Sequence, residues 1–301
     1  MTKVRSPLFY VGDKYKLMPQ LNKLFPKNIN TFYDVFAGGG SSTLYTPAKQ
    51  YELNDLDEHI ISLHKYLSKE LQDYSHFVDH ELGLIDHYGL SHSAENVLPD
   101  NIDEIKKKYK KTYFAKANKD AYIKLRDDYN DDQSRMDLFY LLLVYGFNHM
   151  TRFNGSGNFN LPVGNVDWNK NVEDALNNYS FFVKTSKFKF SSMDFEKFVE
   201  SQDFQTDDFV YFDPPYLISL SEYNKMWNED TDLRLFNLLD ELNKRHVKWG
   251  MSNVISHKGN VNTPLMEWGK SYNVYPIKSN YISKFDNTIK KDTKEIYVTN
   301  V

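Results

Sequence analysis

Asp213, Pro214, Pro215 and Tyr216 stand directly after the apolar run Phe209–Phe212. A strand ending there puts the four residues at its carboxyl end, where open α/β sheets bind ligands. Two prolines fix the backbone and remove two N–H donors, so nearby carbonyls stay free to accept. The Asp213 side chain and a proline carbonyl can then accept both hydrogens of one exocyclic amino group. The Tyr216 ring offers a flat face to the ring that carries the amine. Holding both hydrogens favours the form in which the nitrogen lone pair attacks rather than delocalises. A rigid turn after a buried strand explains the same four residues, and the strand context favours the chemical reading.

A second group is Asp34-Val35-Phe36-Ala37-Gly38-Gly39-Gly40. Glycines after a first strand let the backbone approach a ligand closely. There is no Gly-Lys-Ser/Thr of a P-loop and no full G-x-G-x-x-G, so the usual nucleotide motifs do not fit. A tight strand-to-helix turn accounts for the glycines equally well. Asp55, at the end of the next apolar run, adds a carboxylate where ribose hydroxyls are commonly held. His76 and His80 have the i, i+4 spacing of a metal pair, but no His-Glu-x-x-His pattern accompanies them. They read as part of an exposed polar helix, and no metal is expected.

The elements that must position these groups alternate. Thr31–Phe36 reads as a strand, Ser41–Tyr45 as a helix start, Tyr51–Leu53 as a second strand and Asp57–Leu67 as a helix. That order belongs to a parallel α/β sheet. Helical patterns then dominate, with a long one at Met136–Phe147 and a lysine-rich run at 106–111. Thr151–Gly164, rich in Gly and Asn, reads as loop or hairpin. The α/β pattern resumes with strands at Phe188–Phe190, Phe209–Phe212, Val247–Met251 and Glu295–Thr299, and a helix at Leu233–Arg245. The expected organisation is a sheet domain from 1–67 and 171–301, with residues 68–170 inserted as a mainly helical domain.

With 301 residues and 41% hydrophobic content, the chain has enough apolar material for a real core. It has no cysteine, which removes disulfides, thiolate metal sites and Cys nucleophiles. A net charge of -4 argues against non-specific coating of DNA but not against a site-specific enzyme. The start of the chain has no apolar run of signal-peptide length, and no stretch approaches the ~20 apolar residues of a membrane span. A cytoplasmic protein without membrane partners is expected.

Taken in order, the motifs resemble those of the Dam-type, or D12-class, DNA adenine methyltransferases. Tyr10-Val11-Gly12-Asp13-Lys14 stands where the family has W-x-G-G-K, and Asp34–Gly40 matches D/E-x-F-x-G-x-G. Asn54-Asp55 is similar to the acidic motif, and Met193-Asp194-Phe195 to G-D-F. Asp213–Tyr216 matches D-P-P-Y, and Ser252-Asn253 matches a later Ser-Asn pair. The stretch from Arg152 to Gly164 resembles R-x-N-x-x-G-x-F-N-V-P-x-G. Tyr10 replaces Trp, Asp13 a glycine, and Met193 a glycine. Asn165 and Val166 replace the basic and aromatic residues that often follow, which points to a target other than GATC.

The resemblance implies a Rossmann-like methyltransferase sheet using S-adenosylmethionine, an inserted target-recognition domain and double-stranded DNA as partner. It implies that Tyr10, Gly12, Lys14, Asp34, Phe36, Gly38, Gly40, Asp55, Asp194, Phe195 and Asp213 serve the cofactor. Asp213, Pro214, Pro215 and Tyr216 would act on an adenine flipped out of the duplex. Arg152 is the candidate for direct readout of guanine. Asn148, His149, Met150, Asn154 and Pro162 would accompany it on DNA. Phe147 can act as a wedge or as helix core, and the lysine run can bind phosphates or form a solvated face. A companion restriction endonuclease is a further implied partner. Cytosine N4, RNA adenine or a glutamine side chain are other amines that D-P-P-Y serves. A non-catalytic nucleic-acid-binding module on the same fold is an alternative of another kind.

Overall fold

The computed structural model describes residues 4–218, 227–278 and 293–301. Its first elements are α1 (Met18–Leu21), β1 (Thr31–Asp34), α2 (Ser41–Tyr45), β2 (Gln50–Asn54), α3 (Glu58–Glu70) and α4 (Tyr74–Tyr88). Next come α5 (Ile102–Tyr109), α6 (Tyr113–Ala117), α7 (Lys119–Asp131), α8 (Met136–Tyr145) and α9 (Lys170–Thr185). Then follow β3 (Lys187–Ser191), α10 (Phe195–Glu200), β4 (Phe209–Phe212), α11 (Glu229–Lys244) and β5 (Lys248–His257). The last are β6 (Asn260–Val261), α12 (Thr263–Trp268), β7 (Asn273–Ile277) and β8 (Lys294–Thr299). They fall into two compact units, one comprising Lys14–Leu56 and Lys187–Val301, the other Val4–Asp13 and Asp57–Ser186.

The first unit is a doubly wound, Rossmann-like sheet in the order β3-β2-β1-β4-β5-β8-β7, with β6 folded back on β5. β3, β2, β1, β4 and β5 are parallel, while β8 is antiparallel to both β5 and β7. The chain builds outward from β1 to β2 and β3, then returns to place β4 on the other side of β1. The order therefore reverses between β1 and β4, which opens a crevice at their carboxyl ends. β1 and β4 are buried at every residue, as strands covered on both faces must be. One face packs Val35, Val210, Phe212, Trp249, Met251 and Val298 against Phe198 of α10 and Leu235 and Leu239 of α11. The other carries an aromatic layer in which the Phe25 ring lies 4.9 Å from Phe209 and 5.2 Å from Tyr211.

β5 runs to His257 rather than stopping at Met251. Antiparallel β8 pairs with it as far as Ser256, so the ladder continues past Ser252-Asn253. Helix α11 begins at Glu229, earlier than its apolar spacing suggests, because Asn228 caps it by accepting from Thr231 N at 2.9 Å.

The second unit is mainly helical. α8 is buried from Leu138 to Tyr145 on every face, which makes it a central helix. It ends two residues before the predicted Phe147, where Gly146 turns extended. α4 is not an exposed polar helix: Phe77, Glu81 and Ile85 are buried along it. The unit holds the expected 68–170 segment but is larger, taking in α3 and α9. Those two helices join through His64 Nδ1, 2.9 Å from the Tyr179 hydroxyl, and through Ser180 Oγ, which donates to the Leu71 carbonyl at 2.8 Å.

Candidate active site

Within the sheet unit, the carboxyl end of β4 delivers Asp213, and the chain then turns so that the Tyr216 hydroxyl donates to Asp213 Oδ1 at 3.0 Å. Lys14 Nζ stands 3.0 Å from Asp213 Oδ2, with side-chain exposures of 5% and 18%. The same ammonium lies 5.0 Å from the centre of the Tyr216 ring. Burial pushes the Asp213 carboxyl above its usual range, against the pull of the Lys14 ammonium and the Tyr216 hydroxyl. The four-residue motif is therefore not a bare turn. It holds a carboxylate in place from two sides while its backbone carbonyls follow a rigid path.

One strand over, Asp34 ends β1 fully buried. Its Oδ2 accepts from Ser42 Oγ and, at 2.8 Å, from Thr43 Oγ1, both in α2. Its Oδ1 has no hydrogen-bond partner among the described residues. Burial raises the carboxyl to about 7, opposed by the two hydroxyls. Gly38 and Gly40 adopt left-handed φ values of 46° and 74°, which a side chain would strain. Asp55 takes the Gly38 N–H on its Oδ2 at 2.8 Å, so the acid after β2 closes the glycine turn. Asn54 ties the next piece in: its Nδ2 donates to Val35 O at 3.1 Å and Met193 O at 3.0 Å, and its Oδ1 accepts from Met193 N at 3.0 Å.

Met193, where the resembled motif has glycine, is held by Asn54 through both its carbonyl and its N–H. Asp194 caps α10 by accepting from Glu196 N at 3.1 Å and pairs with Arg234 Nη2 at 3.2 Å. The Phe195 ring lies 5.6 Å from Phe36, and Trp227 lies 5.6 Å from Phe36 and 5.8 Å from Phe195. An unsatisfied buried acceptor, a backbone loop that tolerates close approach, an acid on that loop and an aromatic cluster follow one another across β1, β2 and α10. This donor set suits a ligand with an ammonium group, ribose hydroxyls and a flat base.

The sheet unit therefore gathers Lys14, Asp34, Phe36, Gly38, Gly40, Asp55, Asp194, Phe195, Asp213 and Tyr216. Tyr10 and Gly12, expected beside Lys14, belong to the segment of the helical unit. Sequence reading missed Ser42, Thr43, Trp227 and Arg234, whose residue types carry no signal without their partners. It also missed Glu295, a buried acid on β8 whose Oε1 lies 3.4 Å from the Tyr216 hydroxyl. The one available signal was a charge inside the apolar stretch Glu295–Thr299.

In the helical unit, the chain crosses itself after α8. Gly164 N donates to Tyr145 O at 2.7 Å and Phe147 N to Pro162 O at 2.9 Å. A Cβ on Gly164 would sit 2.5 Å from the Gly146 carbonyl oxygen. Asn148 and His149 take left-handed φ of 55° and 52°, and Phe147 is 49% exposed rather than helix core. His149 Nδ1 lies 3.0 Å from Leu143 O, and its ring is 5.0 Å from Phe9. Burial depresses its imidazole to about 4. Met150 follows in extended conformation. Arg152 to Asn160 then form a hairpin in which Asn154 Oδ1 takes the N–H groups of Ser156 and Asn158, at 2.9 and 3.0 Å. Arg152 is exposed and held by its own hairpin, donating from Nε to Asn160 Oδ1 at 2.9 Å and from Nη2 to Asn160 O at 2.6 Å. Pro162 is exposed beyond it. Asn165, in place of a basic residue, accepts from the N–H groups of Phe114 and Ala115 at 3.0 and 3.3 Å.

His80 Nε2 pairs with Asp137 at 3.2 Å. Among the described residues no group of three or more His, Asp or Glu side chains could hold a metal ion.

The profile of the D12 class N6 adenine-specific DNA methyltransferases matches residues 10–282. The chain is 33% identical over 307 residues to "Modification methylase StsI" of Streptococcus sanguinis, covering 99% of this chain and 43% of that protein. It is 31% identical over 305 residues to "Type II methyltransferase M.FokI" of Planomicrobium okeanokoites, with the same 99% and 43% coverage. Against a "DNA adenine methylase" of Haemophilus influenzae it is 27% identical over 227 residues, 74% of this chain and 67% of that one. The chain thus spans less than half the length of the first two relatives.

Proposed function

From the premise that this chain belongs to the D12 class of N6 adenine-specific DNA methyltransferases, we propose that it methylates adenine N6 at a specific site in duplex DNA. The observation that carries this reading is Asp213, largely buried at the end of β4 and held by Lys14 and Tyr216. A flipped adenine lies with its amine hydrogens on Asp213 and the Pro214 carbonyl and its ring along Tyr216. Pro215 keeps that carbonyl's path rigid. The chain contributes position and charge placement rather than a covalent intermediate.

S-adenosylmethionine, when bound, supplies an electrophilic methyl group. Asp34 Oδ1 suits its ammonium, Gly38 and Gly40 its close approach, and Asp55 its ribose. Phe36, Asp194 and Phe195 suit its base, with Lys14, Tyr10 and Gly12 completing the set. Arg152 reads a base edge, aided by Asn148, His149, Met150, Asn154 and Pro162, and the exposed Phe147 serves as a wedge. The same reading includes a companion restriction endonuclease as functional partner and a cytoplasmic site of action.

The test is to incubate the protein and labelled cofactor separately with duplex DNA, RNA and protein. N6-methyladenine in digested DNA is expected, with formation slowed on the order of 10³-fold by Asp213→Ala. Label on cytosine N4 alone, or on RNA alone, would overturn the reading.

A further inference from the structure

We propose that Glu295 receives, through Tyr216, the proton that the methylated amine must lose. The proposal rests on the methyl-transfer reading above. It stands on one chain of contacts within the sheet unit. The Tyr216 oxygen lies 3.0 Å from Asp213 Oδ1 and 3.4 Å from Glu295 Oε1. The hydroxyl has one hydrogen and two carboxylates to give it to, so it can turn from one to the other. The distance to Glu295 is the longer, as expected while the hydrogen rests on Asp213.

Glu295 is an unexpected residue for its place. It is 2% exposed, on β8, paired with Val254 of β5 and Ile277 of β7. Its strand neighbours Ile296 and Val298 enter the apolar core. Burying a carboxyl in such a sheet costs free energy that an apolar side chain would not. A role at Tyr216 explains why it is there.

The chemistry requires an acceptor. As the amine nitrogen forms its bond to the methyl carbon, the sulfur–carbon bond breaks and its electron pair stays on sulfur. The nitrogen is left cationic and sheds one hydrogen as a proton to Asp213. Lys14, 3.0 Å from Asp213 Oδ2, makes Asp213 a poor resting place, because protonation removes the negative charge that Asp213 presents to that ammonium. Asp213 passes the proton from Oδ1 to the Tyr216 oxygen while the tyrosine's own hydrogen moves to Glu295 Oε1. Asp213 and Tyr216 are restored, and Glu295 is neutral until it exchanges with water. Glu295 touches neither base nor cofactor in this scheme, so it is a positioning residue that works through Tyr216.

Glu295→Gln keeps the volume and an acceptor oxygen but cannot take a proton. On a duplex carrying the mapped site, single-turnover methylation by this variant is expected to slow about 10²-fold. Cofactor affinity by calorimetry and the melting temperature should stay close to wild type. Tyr216→Phe should slow the same step, and adding Glu295→Gln to it should slow it no further. Glu295→Asp, which keeps the acid, should recover part of the rate and serves if the glutamine variant folds poorly. A glutamine variant as fast as wild type would overturn the proposal. So would a loss matched by weaker cofactor binding or melting, or losses that multiply in the double variant. If wild type itself leaves DNA adenine unmethylated, the reading of the previous subsection fails instead.

Discussion

Lys14 and Asp213 make the clearest case at the scale of single residues. Both are largely buried and 3.0 Å apart. Asp213→Ala removes the proposed acceptor for the amine and the carboxylate that stands beside the buried Lys14 ammonium. Turnover should fall by on the order of 10³-fold, and stability by about 3 kcal/mol. Pairing it with Lys14→Met should restore much of the melting temperature and none of the activity, as differential scanning calorimetry and a methylation assay would show. Asp34 makes a pH argument. Burial raises its folded-state carboxyl from the ordinary 3.8 to about 7. A raised carboxyl is favoured in its protonated form by folding, so its contribution is full below about 4 and is lost as pH rises towards about 7. Urea unfolding at pH 5 and pH 7 should show wild type losing stability relative to Asp34→Asn over that interval. A constant difference between the two proteins would refute the assignment.

At the scale of elements, the crossing after α8 is what shapes the segment proposed to read DNA. Gly164 lets two backbones touch where a Cβ would collide with the Gly146 carbonyl, and a Cβ on Gly146 would collide with the Leu142 carbonyl and the Leu161 side chain. Gly164→Ala should cost about 2 kcal/mol and reduce methylation while leaving cofactor affinity unchanged in calorimetry. His149 lies under this turn with its imidazole depressed to about 4. Its neutral form is the folded one, so its contribution is present above about 6.5 and fades as pH falls towards 4. The hairpin presents Arg152 with its Nε and Nη2 engaged by Asn160. Arg152→Ala should weaken site-specific binding by about 1–3 kcal/mol and relax selectivity at one base. Methylation sequencing that shows an unchanged site at unchanged rate would remove Arg152 from the readout.

At the scale of the whole chain, a net charge of -4 means that the proposed attraction to DNA must be local. Lys107, Lys108, Lys110 and Lys111 are exposed along α5 and the turn after it. Lys108 and Lys116 lie 5.3 and 5.4 Å from the Tyr109 ring centre, which gathers charge there. If these lysines bind phosphates, replacing the four exposed ones with Ala should lower the salt dependence of DNA binding by about 1 for each phosphate left without its lysine. An unchanged slope in salt titrations would mark the run as a solvated face. No helix among the described residues is long and apolar enough to cross a membrane.

Local order is legible in the residues alone. The apolar runs that form β1, β2, β4 and β8, the glycine turn after β1 and the motif after β4 follow from periodicity and from Gly and Pro, which act on their own neighbourhoods. Element ends are less so: β5 is extended by a partner strand from far along the chain, and α8 is cut short by a crossing with Gly164. Phe147 reads equally as helix core or wedge because its apolar character says nothing of where the helix stops. Pairings across the chain are beyond reach altogether. Lys14 meets Asp213, Asn54 clamps Met193, and Glu295 meets Tyr216 only after tertiary packing brings their segments together. A sequence specifies which groups can accept, donate or stack through residue type. Which two of them share a proton depends on distance, and distance between remote residues is set by tertiary packing.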